Sequence, residues 1–510
     1  MESGGAMDRS QPEPSAGVGD RLSKLEDRVL GNILSFLPAK EAARAALLSS
    51  RWRHVFAAVH TISLEEPEPP IPDDDWRGYC DSPSCRPPGD PNAPPPFSSA
   101  VSAAIIARQR RRGAAPLRPL RVAMEDYRAG DSSAVDQWVS YAVQQAAPEG
   151  LDLRLSCRRL PCPGAYYELS AETEFDVRSG SDDDDSSSSA AVSTDDELED
   201  VRLPRWEWVQ PEYTVPRLLF SCAELRSLSL GSCRLSPPAA ACLPSLVTLL
   251  LCDVPDGGAD VERLIAGCPR LADLTLEACD AVTALTVAGG ARLRRLALRC
   301  CHRLAAVAVD SSELRAFEYR GAVPYYAASF LTMRGGSGRV AYCKVHICGA
   351  ETSNPWQLVH LFANSRHLHL ESARLGSGFG MAVPPARSSA SFSSIRHLEV
   401  RGCLPDHDAG VIVDAMSGIL ELAPNLEALS LAFHHQEQRF LAYSARRSCW
   451  TRTISGGRAQ RALAKFLLCN APGVDKLWCE FAEGPLWTQV QLMREIKCWL
   501  INKSASTHFA

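Results

Sequence analysis

The chain has 510 residues, of which 45% are hydrophobic and 22% are charged, values that are ordinary for a globular protein with more than one folded unit. No run of 18 apolar residues occurs and the N-terminus has no apolar signal-peptide core, so we expect an intracellular protein without a transmembrane helix. Removing the nine acidic residues of 181–200 from the net charge of −6 leaves +3, which does not indicate a nucleic-acid partner.

The cysteine content bears on the redox compartment. The chain has 19 cysteines, an odd number, and no CxxC pair. We therefore predict reduced thiols in an intracellular protein rather than a disulfide framework.

Residues 20–60 form the first segment with helical periodicity. Apolar residues recur on one face of a predicted helix at Val29, Leu30, Ile33, Leu34 and Leu37. Pro38 would end this helix, because proline disfavours helical geometry in the residue before it. An alanine-rich helix over 41–48 and a third helix containing Trp52 and Val55 follow.

A helical unit of about 40 residues buries too little surface to be comfortably stable alone, so it needs a partner or a neighbouring domain. This size and its broad apolar face predict a docking module. An ordinary amphipathic helical hairpin is the alternative interpretation.

The sequence of this unit resembles the F-box of plant F-box/leucine-rich-repeat proteins. The matching positions are Asp20, Arg21, Leu22, Ser23, Leu25, Asp27, Leu30, Ile33, Leu34, Ser35, Phe36, Leu37, Pro38, Ala43, Arg44, Leu48, Ser49, Arg51, Trp52 and Arg53. The family usually has proline where this chain has Glu26, which leaves the first turn less fixed.

This resemblance implies binding to a Skp-family adaptor and, through it, to a cullin. Apolar residues would make the contact by laying helices into a hydrophobic groove. The residues expected to bind the adaptor are Leu25, Leu30, Ile33, Leu34, Leu37, Pro38, Leu48 and Trp52. The sequence does not divide them between core and interface.

Residues 65–97 contain eleven prolines and are predicted to form a loop, as is the acidic, serine-rich stretch 181–200. Between them lies a basic cluster over 108–112. It has two interpretations, a nuclear-import or phosphate-binding patch and the solvated C-terminal end of a helix beginning near Ser98, and we favour the helix end.

Leucine-rich repeats are predicted over the second half of the chain. An LxxLxL pattern begins at Leu225, Leu246, Leu271, Leu293, Leu314, Val340, Ser365, Ile395 and Leu426. The repeat pattern also asks for asparagine or cysteine three residues after its last leucine. Cysteines stand there in five repeats, at Cys233, Cys279, Cys301, Cys348 and Cys403. Their regular phase indicates core cysteines and argues against a metal site at 300–302.

Each repeat is expected to place one strand on a concave face suited to protein recognition. The variable positions facing outward are candidate contacts with a target, although solvated residues are the more common case. Examples are Arg226, Ser229, Arg294, Arg295 and Arg299. The sequence pattern does not identify further substrate-binding residues.

The predicted fold class is α+β, with a short N-terminal helical F-box followed by an irregular α/β leucine-rich-repeat solenoid. The expected organisation is a disordered leader over 1–19, the F-box over 20–60, a proline-rich loop over 61–97, an atypical N-terminal repeat region over 98–177, an acidic loop over 178–202, repeats over 203–440 and a C-terminal region over 441–510. The C-terminal region resembles a degenerate FBD tail.

The functional hypothesis is the substrate-recognition subunit of an SCF-type ubiquitin ligase, located in the nucleus and/or the cytoplasm. It implies no catalytic residues, no metal and no cofactor in this chain, and an unknown target protein. The alternative is a non-degradative F-box/leucine-rich-repeat scaffold. A hormone receptor is a further possibility that no residue pattern supports, and nucleic-acid binding through 108–112 is another.

Overall fold

The computed structural model describes residues 24–37, 39–45, 48–49, 51–55, 58–67, 96–110, 115–124, 131–157, 213–287, 292–322, 327–333, 340–347, 356–374, 392–403, 409–434, 458–470, 474–479 and 486–509. The chain divides into two compact units, the first comprising residues 1–124 and 133–155 and the second comprising residues 125–132 and 156–510. No helix within the described ranges is long and apolar enough to cross a membrane.

The helices are named in chain order. They are α1 (Asp27–Leu34), α2 (Ala39–Arg44), α3 (Trp52–Val55), α4 (Phe97–Gln109), α5 (Ser132–Gln144), α6 (Gly258–Ala266), α7 (Ala327–Phe330), α8 (Trp356–His360), α9 (Ala409–Leu422), α10 (Arg458–Asn470) and α11 (Leu486–Trp499).

The strands are named in the same way. They are β1 (Ile62–Glu65), β2 (Pro119–Met124), β3 (Leu151–Cys157), β4 (Leu225–Gly231), β5 (Thr248–Cys252), β6 (Asp273–Glu277), β7 (Ala284–Val287), β8 (Arg295–Arg299), β9 (Ala306–Val309), β10 (Ala316–Gly321), β11 (Leu331–Met333), β12 (Tyr342–Ile347), β13 (His367–Arg374), β14 (His397–Cys403), β15 (Ala428–His434), β16 (Lys476–Cys479) and β17 (Ser506–Phe509).

The first unit joins a small helical cluster, α1 to α3, to a sheet with the strand order β1-β2-β3. Strands β1 and β2 run parallel, with Ile62 opposite Leu120. Helices α4 and α5 are linked by a hydrogen bond from Trp138 Nε1 to Ser102 Oγ at 2.9 Å. Trp138 is fully buried, so this polar contact satisfies the one hydrogen-bond donor that its indole brings into the core.

The second unit contains a parallel sheet with the strand order β4-β5-β6-β8-β10-β12-β13-β14-β15. The fourth position of each predicted repeat lies in one cross-strand row of paired residues. This row is Leu228, Leu249, Leu274, Leu296, Phe317, Cys343, Leu368, Leu398 and Leu429. The register therefore agrees with the alignment of all nine repeats, including those beginning at Val340 and Ser365.

A second, smaller parallel sheet has the order β11-β9-β7. Its strands alternate along the chain with β6, β8 and β10 of the main sheet. Three successive repeats thus contribute one strand to each sheet, so that their apolar side chains are buried between two strand layers. The predicted α+β class, with helical unit first and repeat solenoid after it, is confirmed.

The main-sheet strands end in a repeated turn. The residue seven positions after the repeat start has a positive φ in four successive repeats, at Ser232, Asp253, Ala278 and Cys300. The backbone N–H of Ala278 donates to the carbonyl of Arg299 in the next repeat at 2.8 Å. This inter-repeat hydrogen bond offsets a left-handed conformation that costs about 1–2 kcal/mol outside glycine.

Core cysteines follow that turn as the repeat pattern predicts. Cys233, Cys279 and Cys301 are buried, and Cys348 lies outside the described residues. None of these three forms a disulfide bond, whereas Cys300 is disulfide-bonded. The prediction of reduced thiols is therefore wrong at Cys300.

Two helices of the first unit, α1 and α2, end earlier than predicted. Helix α1 ends at Leu34 rather than at Leu37, and α2 covers 39–44 rather than 41–48. Helix α4 begins at Phe97, one residue from the expected start near Ser98. The acidic loop and residues 68–95 of the proline-rich loop lie outside the described ranges, but Ile62–Glu65 at the start of that predicted loop form strand β1. The predicted domain boundaries remain predictions.

Candidate functional site

The helical cluster of the first unit has a small core of its own. Leu30 and Leu34 on α1 are buried together with Ala42, Val55 and Val59. Leu25 and Trp52 are partly buried and pack against this group. Leu30 and Leu34 are one turn apart, so a single face of α1 supplies the centre of the core.

Gly31 and Ser35 bring α1 close to the segment that follows α3. A Cβ on Gly31 would lie 2.6 Å from the carbonyl oxygen of Ala58, so only glycine fits this approach. Ser35 Oγ donates to the Gly31 carbonyl at 2.8 Å and accepts from the His60 backbone N–H at 3.2 Å. These contacts fix the end of α1 against the start of the sheet.

An ion pair joins the two ends of the helical cluster. Arg51 Nε lies 3.0 Å from Asp27 Oδ1, and the Arg51 guanidinium also donates to the Leu25 carbonyl. Both charged side chains are exposed, so the pair contributes at most about 1 kcal/mol. Its main effect is to hold the segment before α1 against the start of α3.

Glu26 takes the position where the family has proline. Its φ of −65° and ψ of 150° place it at the N-cap of α1, and its carbonyl accepts from Val29 and Leu30 at 3.0 Å each. This φ is the value that a proline ring imposes. The folded backbone at Glu26 therefore already has the geometry that proline would impose. The absence of proline affects mainly the conformational freedom of the unfolded chain.

Several large apolar side chains of this cluster face outward. We call them the F-box apolar surface: Val29, Ile33, Phe36, Leu37 and Leu48. Phe36 is 89% exposed and Leu48 is 72% exposed, while the other three are between 39% and 42% exposed. Exposed aromatic and aliphatic side chains on so small a unit are typical of an interaction site.

The eight predicted adaptor contacts thus have different environments. Ile33, Leu37 and Leu48 are on the surface, whereas Leu30 and Leu34 are core residues that support it. Leu25 and Trp52 are half-buried at the edge of the core, and Pro38 lies outside the described residues. Their contact with an adaptor stays a prediction.

Two exposed residues were absent from that prediction. Phe36 matched the family pattern but was not chosen as a contact, and Val29 was counted only as part of the helix face. The feature that distinguishes Phe36 is its position two residues after the end of α1. It is therefore not part of the helix face that packs into the core.

The basic cluster at 108–112 is divided by the fold. Arg108 lies in the last turn of α4, yet it is 1% exposed, which contradicts a solvated helix end at this position. Its Nε donates to the Val59 carbonyl at 3.1 Å, one terminal nitrogen donates to Tyr141 Oη at 2.7 Å and the other donates to the Ala115 carbonyl. Arg108 is therefore a structural residue, while Arg110 is exposed.

A second candidate surface is the polar face of the main sheet, formed by the residues between the buried leucines. Side chains alternate along a strand, so positions two, four and six after each repeat start share this face. The middle position forms a row of paired residues across the strands. Its central members are Thr275, Ala297, Glu318, Lys344, His369 and Glu399.

Ion pairs cover the part of this face around Glu318. Arg295 and Arg299 reach the two carboxylate oxygens of Glu318 at 2.8 Å and 2.9 Å, and Arg299 also lies 3.5 Å from Glu277. Burial opposes the charge on Glu318, but the two arginines outweigh it and hold its pKa below the ordinary value. These charges neutralise one another within three strands.

A second group of ion pairs surrounds Glu371 on β13. Lys344 Nζ, His346 Nδ1 and His369 Nε2 lie 3.7, 3.6 and 3.7 Å from its carboxylate oxygens. Burial raises the pKa of Glu371, but the neighbouring His369, His346 and Lys344 outweigh it and lower this pKa to about 2. His369 Nδ1 is also 3.0 Å from Glu399.

Aromatic rings form an exposed row beside these charges. Tyr342, His367 and His397 are neighbours in the register of β12, β13 and β14. The rings of His367 and His397 stack with their centroids 4.4 Å apart. Tyrosine is enriched among residues that dominate binding energy, so this row suits contact with a protein.

The predicted target contacts have different environments. Arg295 and Arg299 lie on the polar face but are held by Glu318. Arg294 pairs with Glu313 at 3.3 Å, while Arg226 is exposed and Ser229 is half-buried. Within the described ranges no group of three His, Cys, Asp or Glu side chains has the arrangement of a metal site.

Comparisons with known proteins match both the helical unit and the repeats. An F-box domain model matches residues 22–60, and an LRR domain model described as At1g61320/AtMIF1 matches residues 190–458. Neither matched model is that of a catalytic domain. The chain is thus an F-box/leucine-rich-repeat protein.

The repeat model covers more than half of the chain. The chain therefore belongs to the family of the At1g61320/AtMIF1 LRR domain. The chain is 45% identical over 51 residues to F-box/LRR-repeat protein At4g14103 of Arabidopsis thaliana, which is 10% of this chain and 13% of the relative. It is 47% identical over 47 residues to F-box/LRR-repeat protein At3g59200 of the same plant, 9% of each chain. The matches thus span about a tenth of the length of these curated relatives.

Proposed function

We propose that this chain is the substrate-recognition subunit of an SCF-type ubiquitin ligase. The observation that carries the proposal is the F-box apolar surface, which leaves Phe36 and Leu48 largely uncovered on a unit with an F-box sequence. F-box domains generally bind Skp1-type adaptors. A groove on a Skp-family adaptor would cover these side chains and remove their apolar area from water.

In this proposal the adaptor connects the chain to a cullin, and the repeats hold a target protein. The complex brings lysines of the target close to a ubiquitin-charged enzyme bound elsewhere on the cullin. Tethering makes the encounter effectively intramolecular, which raises the local concentration of the target without requiring an active site in this subunit. We place the complex in the nucleus and/or the cytoplasm, with the nucleus preferred.

The polar face of the main sheet is the proposed target-binding surface. It carries exposed aromatic rings beside charged side chains, and both kinds of group give specificity at protein interfaces. The target itself is not identified by these residues.

The test is to measure adaptor affinity for Phe36→Asp and Leu48→Asp. Each change places a charge in the proposed interface, and we expect binding to weaken by about 10- to 100-fold, the range of a central interface residue. Both side chains are exposed, so the fold should be retained and circular dichroism should be unchanged. Leu486→Asp is the matched control, because Leu486 is 77% exposed but lies outside the F-box.

Full adaptor affinity in both F-box variants would refute the proposed docking surface. Leu34→Asp is a poorer test, because Leu34 is buried and a charge there would unfold the helical cluster. A non-degradative scaffold is distinguished by a second measurement: its partner would bind the repeats, but the lifetime of that partner would not change in the Phe36→Asp variant.

A further inference from the structure

Arg320 is a charged side chain of the polar face that belongs to neither of the two ion-pair groups. It lies on β10, six residues after the repeat start at Leu314, and is half-buried. In the sheet register its neighbours are Arg299 on β8 and His346 on β12. A cation therefore stands between another cation and a histidine at the centre of the sheet.

The carboxylates around Arg320 already have partners. Glu318, two residues earlier on the same strand, binds Arg295 and Arg299. Glu371 binds Lys344 and lies close to two histidines. Among the residues that the structure describes, Arg320 makes no ion pair, and its Nε atom is buried without a hydrogen-bond partner.

This arrangement has an energetic consequence. A buried donor of a charged group without a partner is destabilising, and so are like charges directly opposite each other on neighbouring strands. Arg299 is compensated by two glutamates, whereas Arg320 is not compensated by any described side chain. An anion supplied from outside to the terminal nitrogens would compensate the charge of Arg320 and reduce the repulsion between the two strands.

We propose that Arg320 is the anchor for a carboxylate side chain of the target, an aspartate or glutamate in a segment that lies across the polar face. The proposal rests on the proposed function, since it names the chemistry of what the repeats recognise. Arginine suits this role because its planar guanidinium can bind a carboxylate through two parallel hydrogen bonds. The positive charge of Arg320 would also attract acidic side chains that flank the bound carboxylate in the target segment.

The proposal is tested with the full chain and a fluorescein-labelled hexaglutamate peptide, measured by fluorescence anisotropy at low and moderate salt. We expect Arg320→Gln to weaken binding at least tenfold. Arg315→Gln is the matched control, because Arg315 is an exposed arginine of the same repeat that lies one residue after the repeat start. It removes the same charge away from the polar face, and we expect less than a twofold change.

A second readout does not depend on the peptide. Arg320→Gln removes an uncompensated charge and should leave the midpoint of thermal unfolding unchanged or raised. Arg299→Gln breaks two ion pairs and should lower it. If Arg320→Gln lowers the midpoint as much as Arg299→Gln does, Arg320 has a structural partner and the proposal fails.

Other outcomes also overturn the inference. Absence of peptide binding to the unchanged chain, or equal weakening by Arg320→Gln and Arg315→Gln, would mean that no specific carboxylate site exists. Saturable binding of inorganic phosphate at a concentration where the peptide does not bind would replace it with a phosphate site. Adaptor affinity is measured on the same preparations, so a failure here with normal adaptor binding leaves the F-box half of the proposed function intact.

Discussion

Neighbouring apolar residues of α1 have opposite environments. Leu30 and Leu34 are buried in the core, whereas Val29 and Ile33, each one residue earlier, are about 40% exposed. A rotation of about 100° per residue separates the two pairs, so one apolar helix provides both a core face and a surface face. A wide apolar face that exceeds the needs of its own core is what a docking helix requires.

Glu26 offers a direct test of how the first turn of α1 is held. Glu26→Pro should stabilise the first unit by about 0.4–1 kcal/mol, because the folded φ of −65° already suits proline and the unfolded chain loses freedom. Urea unfolding measures the change. Glu26→Ala is the control for losing the carboxylate, and it should not stabilise. A destabilised proline variant would contradict the interpretation that the backbone here is preorganised for this residue.

The sequence predicted which residues of the F-box are apolar but not which are exposed. Periodicity gave a single broad face for Val29 through Leu37, and α1 ends at Leu34. Exposure of Phe36 depends on this early end, and exposure of Leu48 depends on α2 ending at Arg44. Helix ends are set by capping and tertiary contacts, such as those of Ser35 with His60, which involve residues 25 positions apart.

At the scale of elements, the repeat register was accessible from the sequence because each strand carries its leucines at the same positions. The rows formed by Leu249, Leu274 and Leu296 follow directly from this spacing. The ion pairs between strands could not be predicted from the sequence in the same way. Whether Arg299 or Arg320 finds a carboxylate depends on side-chain reach between strands about 4.8 Å apart, which the repeat pattern does not specify.

The ion pairs around Glu371 predict a pH dependence of stability. Its folded pKa of about 2 lies below the ordinary value of 4.5, so its stabilising contribution is complete above pH 4.5 and is lost as the pH falls to about 2.

We therefore expect Glu371→Gln to be less stable than the unchanged chain at pH 5, with the difference vanishing near pH 2. Urea unfolding at several pH values between 5 and 2 provides the measurement. Glu427→Gln is the control, because Glu427 is an exposed glutamate whose nearest cation, Arg396, is 3.6 Å away. A difference that stays constant over the whole range would mean that Glu371 acts through packing and not through its charge.

At the scale of the whole molecule, the helical cluster does not stand alone within the first unit. Arg108 on α4 binds the Val59 carbonyl, and Val59 belongs to the core formed with α1. The same guanidinium binds Tyr141 on α5. One buried side chain thus connects the F-box core to the two helices that follow it, which supplies the neighbouring cover that a unit of its size needs.

Arg108→Lys should therefore destabilise the first unit as a whole. A lysine amine carries three donors on one atom and cannot reach acceptors on three separate segments, so at least one buried acceptor loses its partner. Each lost hydrogen bond to a charged group costs about 1.5–3 kcal/mol. Hydrogen exchange followed by mass spectrometry should show faster exchange in α1, α4 and α5, and adaptor affinity should fall with it.

The second unit provides the internal reference for that experiment. Strands β5 to β14 belong to it, and their amide exchange should be the same in the Arg108→Lys variant as in the unchanged chain. Arg110→Lys is the matched control, since Arg110 is exposed and the substitution keeps its charge. Faster exchange in both units would show that they unfold together, whereas unchanged exchange in both would show that Arg108 does not hold the first unit.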